Sequence, residues 1–202
     1  MRETEEFLAL PMPRERVPPI TQVRSTLLTS STRALQTRGD FERYLRALDP
    51  SLHDRIKHMV AGVWVPYPIA ESHYRACNSL DYGQGDFAEM GREVGNLIHA
   101  SILAPIVGLA KNAGVTPWTI LAQYRRLWER IMVGGAVGVR KAGPKEAYVD
   151  VVNCQLVAIP YYRAAQRALF LGLLELFCTK VYGSELAGTQ TQNGITYRFA
   201  WA

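Results

Sequence analysis

The stretch ALFLGLLELFC, residues 168–178, decides how the chain folds, because its apolar residues surround most of a helix. Its large side chains form two sides of such a helix: Leu169, Leu173 and Leu176 on one, and Phe170, Leu174 and Phe177 on the other. An apolar arc this wide must be covered on more than one side. One side can lie on a sheet, and the other needs further helices, a ligand or a partner chain. The candidate ligand or partner surface therefore consists of Leu169, Phe170, Leu173, Leu174 and Phe177.

The segments on both sides of this helix have the two-residue period of β-strands. The helix is predicted to begin at Pro160 and to end near Lys180. Before it, residues 136–141 and 146–153 predict a hairpin around the turn at 142–145. After it, a second hairpin ends in a strand over residues 195–201, in which apolar and polar side chains alternate.

The N-terminal two thirds of the chain have helical periodicity. Predicted helices begin near Thr21, at Asp40, at Pro50, at Ile69 after an aromatic linker, at Asp86 and at Thr116. The sequence therefore predicts an α+β fold, with a helical layer packed on one antiparallel sheet built from two hairpins. Residues 1–20 contain four prolines and are predicted to form an extended leader, and residues 21–202 a single α+β domain.

Composition and charge exclude several classes of protein. A chain of 202 residues with 48% hydrophobic residues can bury a core without a disulfide or metal. Its three cysteines, Cys77, Cys154 and Cys178, form no Cys-x-x-Cys pair, which indicates reduced thiols in a cytoplasmic protein. The net charge of +5 is spread along the chain, which argues against nucleic-acid binding. The apolar runs 97–110 and 168–178 are shorter than the roughly 20 residues of a membrane span.

Few residues suggest catalytic or metal chemistry. His99 lies in the predicted long helix among apolar residues, either as a haem or metal ligand or, as we favour, as a core histidine bonded to a carbonyl. His73 and Cys77 are four residues apart on a predicted helix, but zinc takes three or four protein ligands. We therefore predict no metal site and no cofactor. The motif GSE at 183–185 is not the Gly-x-Ser-x-Gly of a nucleophile elbow, and we predict that the protein is not an enzyme.

Packing and turn residues spread over nearly the whole chain resemble those of one family. They are Ser25-Thr-Leu27, Trp64-Val-Pro66, Gly91-Arg92, Leu127-Trp128 with Gly134-Gly135, Pro160, and Tyr197-Arg-Phe-Ala-Trp201. As an ordered set they resemble an uncharacterised paralogous family best known from myxobacteria. That family looks distantly related in fold to 4-vinyl-reductase-like domains, haem-NO-binding domains and the TRAPP-like tethering subunits of Golgi transport.

The resemblance implies a compact α+β module that senses a small ligand or holds a partner, often as a dimer, with no established catalytic residues to transfer. The Tyr-x-Ser-x-Arg signature of the haem-NO-binding relatives is absent, and the similar text Tyr161-Tyr162-Arg163 has a different spacing. We therefore expect a non-enzymatic sensory or scaffolding module in bacterial signalling, a homodimer that binds a protein or a small ligand. An apolar small-molecule carrier or haem-type sensor is the alternative, and an enzyme with a site assembled from distant residues is a weaker one. An enclosed cavity would favour the carrier, and a flat apolar face the scaffold.

Overall fold

A computed structural model describes residues 5–80, 82–83, 89, 92 and 116–202. The helices of these residues, in chain order, are α1 (Ser25–Arg38), α2 (Phe41–Ala47), α3 (His53–Lys57), α4 (Tyr67–Asn78), α5 (Pro117–Leu121), α6 (Tyr124–Ile131) and α7 (Pro160–Glu175). The strands are β1 (Glu5–Leu8), β2 (Gln22–Arg24), β3 (Trp64–Pro66), β4 (Met132–Val133), β5 (Ala136–Gly143), β6 (Glu146–Val152), β7 (Val181–Glu185) and β8 (Ile195–Trp201). The fold class is α+β, as the sequence predicts.

The larger sheet is antiparallel and has the strand order β1-β5-β6-β8-β7. Both predicted hairpins belong to it, one from β5 and β6 and the other from β7 and β8, and they meet where β6 pairs with β8. Val149 of β6 lies opposite Tyr197 of β8, and both are fully buried. Because side chains alternate along a strand, this register directs one face of the central strands into the core.

Helix α7 covers the inner face of this sheet. Phe170 stacks on Tyr124 of α6, with ring centroids 4.7 Å apart, and presents its edge to Tyr197 and Phe199 of β8. Gly183 of β7 permits this close approach, because a Cβ there would stand 2.7 Å from the Phe199 ring and 2.9 Å from Leu171. The helix ends at Glu175, before the predicted end near Lys180.

A helical layer from the N-terminal part of the chain covers the other side of α7. Helix α1 ends at Arg38 and is followed by Gly39, whose φ of 77° favours glycine. The predicted aromatic linker 64–68 is instead strand β3 followed by the start of α4. This strand belongs to a second, three-stranded antiparallel sheet of order β3-β2-β4, in which Val23 lies opposite both Val65 and Met132.

The proline-rich leader docks on the larger sheet. Its strand β1 forms an edge of that sheet by pairing with β5, and Leu10 packs on a small cluster of Val17, Ala136 and Val152. The Asn153 side chain donates a hydrogen bond of 2.6 Å to the Val17 carbonyl. Residues 5–17 are therefore attached to the domain by backbone pairing, apolar contact and a side-chain hydrogen bond.

Two further predictions concern the middle of the chain. The helix predicted from Thr116 begins there with a capping box, but it is divided into α5 and α6 at residues 122–123. The long helix predicted from Asp86, with His99, lies outside the described residues. Within the ranges that the structure describes, no helix is both long enough and apolar enough to cross a membrane.

Candidate ligand cavity

A small, partly enclosed cavity of about 30 Å³ lies where α7 meets the helical layer and the second sheet. Its apolar wall is formed by one side chain of α1, the last residue of α6, the first residue of β4 and two residues of α7. These are Leu27, Ile131, Met132, Leu169 and Phe170. All five are buried, so the cavity lies within the domain and is not a groove across its surface.

The spacing of residues along α7 explains why so many of them reach the cavity. Tyr161, Ala165 and Leu169 are four residues apart and lie in one row along the helix. Tyr162, Gln166 and Phe170 form the adjacent row with the same spacing. The two rows place hydroxyl and amide groups near the N-terminal end of the cavity wall and apolar groups near the other end.

Three tyrosines, one serine and one glutamine are the polar residues of the cavity lining. The Tyr161 hydroxyl lies 2.9 Å from Ser31 Oγ of α1. The Tyr162 hydroxyl accepts a hydrogen bond of 3.2 Å from Gln166 Nε2, while Gln166 Oε1 accepts one of 3.0 Å from Tyr197. The cavity is therefore mainly apolar, with a few oriented hydrogen-bonding groups, which is the usual composition of a small-molecule site.

A buried chain of polar side chains leads from the cavity into the helical layer. Beyond Tyr161 and Ser31, the Ser31 Oγ lies 3.8 Å from Cys77 Sγ of α4, which lies 3.7 Å from His73 Nε2 one turn earlier. His73 Nδ1 in turn lies 2.7 Å from the Tyr44 hydroxyl of α2. The chain joins α7, α1, α4 and α2 through contiguous buried side-chain contacts.

Burial keeps this chain uncharged. It lowers the pKa of His73 to about 3 and raises the pKa of the Cys77 thiol to about 12. The pKa values of Tyr44 and Tyr161 are also raised above the ordinary tyrosine value, mainly by desolvation. A neutral thiol is a poor nucleophile and a poor metal ligand. Among the described residues, no three His, Cys, Asp or Glu side chains form a group that could hold a metal ion.

The residues of the candidate surface lie inside the domain. Leu169 and Phe170 line the cavity, Leu173 and Leu174 are buried in the core, and Phe177 is partly buried against it. The wide apolar arc of α7 is thus covered by the sheet on one side, and by the cavity and helical layer on the other. His99 lies outside the described residues. The predicted homodimer stays a prediction.

Sequence reasoning named Leu169 and Phe170 of the apolar cavity wall and missed the polar residues. The pair His73 and Cys77 was considered only for a metal, whereas the two side chains lie side by side in a hydrogen-bonded chain. Ser31 and Tyr161 are 130 residues apart and have no shared motif. The four-residue spacing of Tyr162 and Gln166 was the one signal in the sequence that could have suggested a polar row on α7.

The fold is similar to that of H-NOX domains. An oxygen-binding H-NOX domain related to soluble guanylate cyclases, solved as its oxygen complex, aligns with a TM-score of 0.59 at 9% identity, covering 88% of this chain and 94% of that chain. An H-NOX protein used to probe the function of haem distortion aligns with a TM-score of 0.58 at 12% identity and the same coverage. A protein in which porphyrin distortion modulates the haem redox potential aligns at 0.56 and 10% identity, covering 88% of this chain and 99% of that chain.

These alignments extend over most of both chains, and at such low identity they establish the fold alone. They agree with the expected distant relationship in fold to haem-NO-binding domains. No protein-family model matches the chain, and no curated protein matches it. Membership of the myxobacterial paralogous family therefore stays a prediction.

Proposed function

We propose that this chain is a non-catalytic sensory domain that binds a small, mainly apolar molecule in the cavity between α1, α4 and α7. The observation that carries the proposal is the cavity itself, an apolar space bordered by tyrosine hydroxyls at the junction of the helical layer and the sheet-bound helix. The apolar-ligand alternative is thereby favoured over a scaffold, because the apolar residues of α7 face a cavity and core and not the surface.

Similar folds provide independent support. The neighbouring structures include an oxygen-binding domain, so this arrangement of helices and sheet is used in other proteins to hold a small ligand. Fold likeness does not transfer function by itself. The proposal therefore depends on the cavity.

The buried polar chain supports sensing rather than storage. A ligand that moves Tyr161 would disturb its contact with Ser31, and through Cys77 and His73 the contact with Tyr44 on α2. Buried polar contacts of this kind have few alternative arrangements, because an unpaired buried hydroxyl costs about 1–3 kcal/mol. Ligand binding would then shift the balance between two positions of α2, where a partner protein would detect it.

Haem does not fit the residues that the structure describes. A cavity of about 30 Å³ is roughly one tenth of the ~300 Å³ at which pockets for larger ligands begin. None of the described histidines, His53, His58 and His73, lines this cavity, and both ring nitrogens of His73 face other side chains. We therefore derive no role for haem in this cavity, and the haem-type sensor with His99 as its ligand stays a prediction, because His99 lies outside the described residues.

Methyl NMR of the whole protein tests the proposal. Dissolved xenon, a single apolar atom, is expected to shift the methyl signals of Met132, Ile131 and Leu169 in a saturable manner as it enters this partly enclosed cavity. Ile56 on α3 does not line the cavity, and its methyl signals should stay unchanged. Linear, unsaturated shifts of the same size at all methyl groups would contradict the proposal.

Two variants sharpen this test. Ala165→Leu places a larger side chain in the cavity wall and should abolish the saturable shifts, whereas Ala122→Leu makes the same change at a similarly half-buried position outside the cavity. Ser31→Ala interrupts the polar chain, and should retain xenon binding while removing any accompanying signal change at Leu45 on α2. Unchanged xenon shifts in Ala165→Leu would refute the location of the site.

A further inference from the structure

Tyr74 of α4 lines the cavity and has a hydroxyl group that none of the described residues hydrogen-bonds. The side chain lines the cavity, its residue is 4% exposed, and its ring packs against Tyr161 and Tyr162. Across the described part of the chain, no hydrogen bond to this hydroxyl is formed, although most buried tyrosine hydroxyls find a partner. Its ring contacts therefore explain its position, but not why the residue is tyrosine and not phenylalanine.

Tyr162 of α7 provides a second donor at the same place. Its hydroxyl accepts from Gln166 Nε2 at 3.2 Å and from the Cys154 thiol at 3.7 Å, and its ring centroid lies 4.9 Å from that of Tyr74. Burial raises the pKa of Cys154 to about 12, so this thiol holds the proton that it donates. Both contacts use the oxygen as an acceptor, and the Tyr162 proton has no acceptor among the described residues.

We infer that the ligand of this cavity carries a hydrogen-bond acceptor, such as a carbonyl, nitrile or nitroso group, that the Tyr74 and Tyr162 hydroxyls bind while its apolar remainder contacts Leu27, Met132 and Leu169. The inference rests on the proposed function, since it specifies the chemistry of the molecule in the same cavity. A ligand without an acceptor would leave these two hydroxyl donors unpaired at the cavity, and each unpaired donor weakens binding relative to a ligand that satisfies it.

The size of the cavity restricts the ligand class further. A space of about 30 Å³ is well below the ~150 Å³ of an engineered cavity that holds benzene. The ligand is therefore very small and has one polar end, and a molecule of more than one or two heavy atoms must extend out of this partly enclosed space. Tyr74 and Tyr162 act as specificity-determining residues. The apolar wall contributes binding affinity that does not depend on which polar group the ligand carries.

Acetonitrile and propyne are matched probes for this inference. Both are linear and have the same number of heavy atoms, but only the nitrile is a good acceptor. Methyl NMR of Met132, Ile131 and Leu169 gives the affinity of the whole protein for each. Because the two probes differ in hydration, the informative quantity is the ratio of their affinities, compared between the wild-type protein and variants that lose a hydroxyl.

Tyr74→Phe and Tyr162→Phe are each expected to lower the acetonitrile-to-propyne affinity ratio by about 2–10-fold, the value of one net hydrogen bond. Propyne affinity should stay within about twofold of the wild type in both. Tyr161→Phe is the matched control, because it removes a hydroxyl from the same cavity that is already bonded to Ser31. That variant should leave the ratio unchanged.

The outcomes separate the inference from the proposed function. A ratio that is unchanged in both Tyr74→Phe and Tyr162→Phe, with both probes still bound, overturns the inference and leaves the cavity as a ligand site. An unchanged ratio is also expected if a bound water accepts hydrogen bonds from both hydroxyls. That outcome likewise overturns the inference. Failure of both probes to bind the wild-type protein overturns the proposed function as well. Should a variant fail to fold, the wild-type protein with the Tyr162→Phe or the Tyr74→Phe variant alone still decides the question.

Discussion

Replacing Phe170 with alanine tests whether the apolar arc of α7 belongs to the core of a single chain. Phe170 is 1% exposed, and its burial stabilises the fold by about 2–3 kcal/mol. Its stacked ring contact with Tyr124 at 4.7 Å adds about 0.5–1.5 kcal/mol. Some further loss comes from the enlarged cavity, so the free energy of unfolding should fall by about 4 kcal/mol, within the range observed for such replacements.

Urea denaturation followed by circular dichroism measures this change, provided that the slope of the transition is the same in both proteins. Leu176→Ala is the control on the same segment, because Leu176 is 37% exposed and its replacement should cost less than about 1 kcal/mol. A domain has roughly 5–15 kcal/mol of stability in all, so Phe170→Ala should still fold, with a much smaller free energy of unfolding that urea denaturation can measure.

The result that would refute this reasoning is a Phe170→Ala protein with a free energy of unfolding within about 1 kcal/mol of the wild type. If sedimentation then showed a dimer in the wild-type protein and a folded monomer in the variant, Phe170 would belong to a subunit interface. Such a result would support a homodimer in which the apolar side chains of α7 form the interface. It would contradict the packing of Phe170 on Tyr124, Tyr197 and Phe199.

Three further predictions follow from the buried polar groups. The pKa of His73 is about 3 in the folded protein and near 6.5 in the unfolded protein, so only the unfolded state binds a proton between these values. The free energy of unfolding should therefore fall by ~2 kcal/mol from pH 7 to pH 5. His73→Gln should remove this part of the pH dependence, and an unchanged pH profile in urea titrations of the variant would show that His73 is not its cause. The half-buried Cys178 should react with a thiol reagent first, and Cys77 and Cys154 only on unfolding, whereas a disulfide in mass mapping would contradict the reduced state. Thermal melts with and without a strong chelator should coincide, and a drop reversed by zinc would reveal a metal site.

The sequence predicted the elements whose periodicity is long enough to be recognised. Helix α7 and the strands β5, β6 and β8 each have at least seven residues, and their alternating or helical patterns set which side is buried. The second sheet was missed because its strands have two or three residues, too few for a two-residue period. Pairing with residues far along the chain forms these strands, as in the register of Val23 with Val65 and Met132.

The cavity could be predicted only in part, for a similar reason. Its apolar wall includes Leu169 and Phe170, which a helical pattern reveals within one segment. Its polar wall depends on side chains from different elements, such as Tyr74 on α4 against Tyr162 on α7. Nothing local indicates that these tyrosines meet, and a cavity is a defect in packing that no residue pattern specifies. The same holds for the contact of Ser31 with Tyr161.

A crystal of the protein pressurised with xenon tests the central claim most directly, because the anomalous signal of xenon locates the atom within the fold. We predict a xenon peak in contact with Met132 and Leu169, between α1, α4 and α7, and its loss in Ala165→Leu crystals. A crystal in which xenon occupies other sites and leaves this cavity without density would contradict the account.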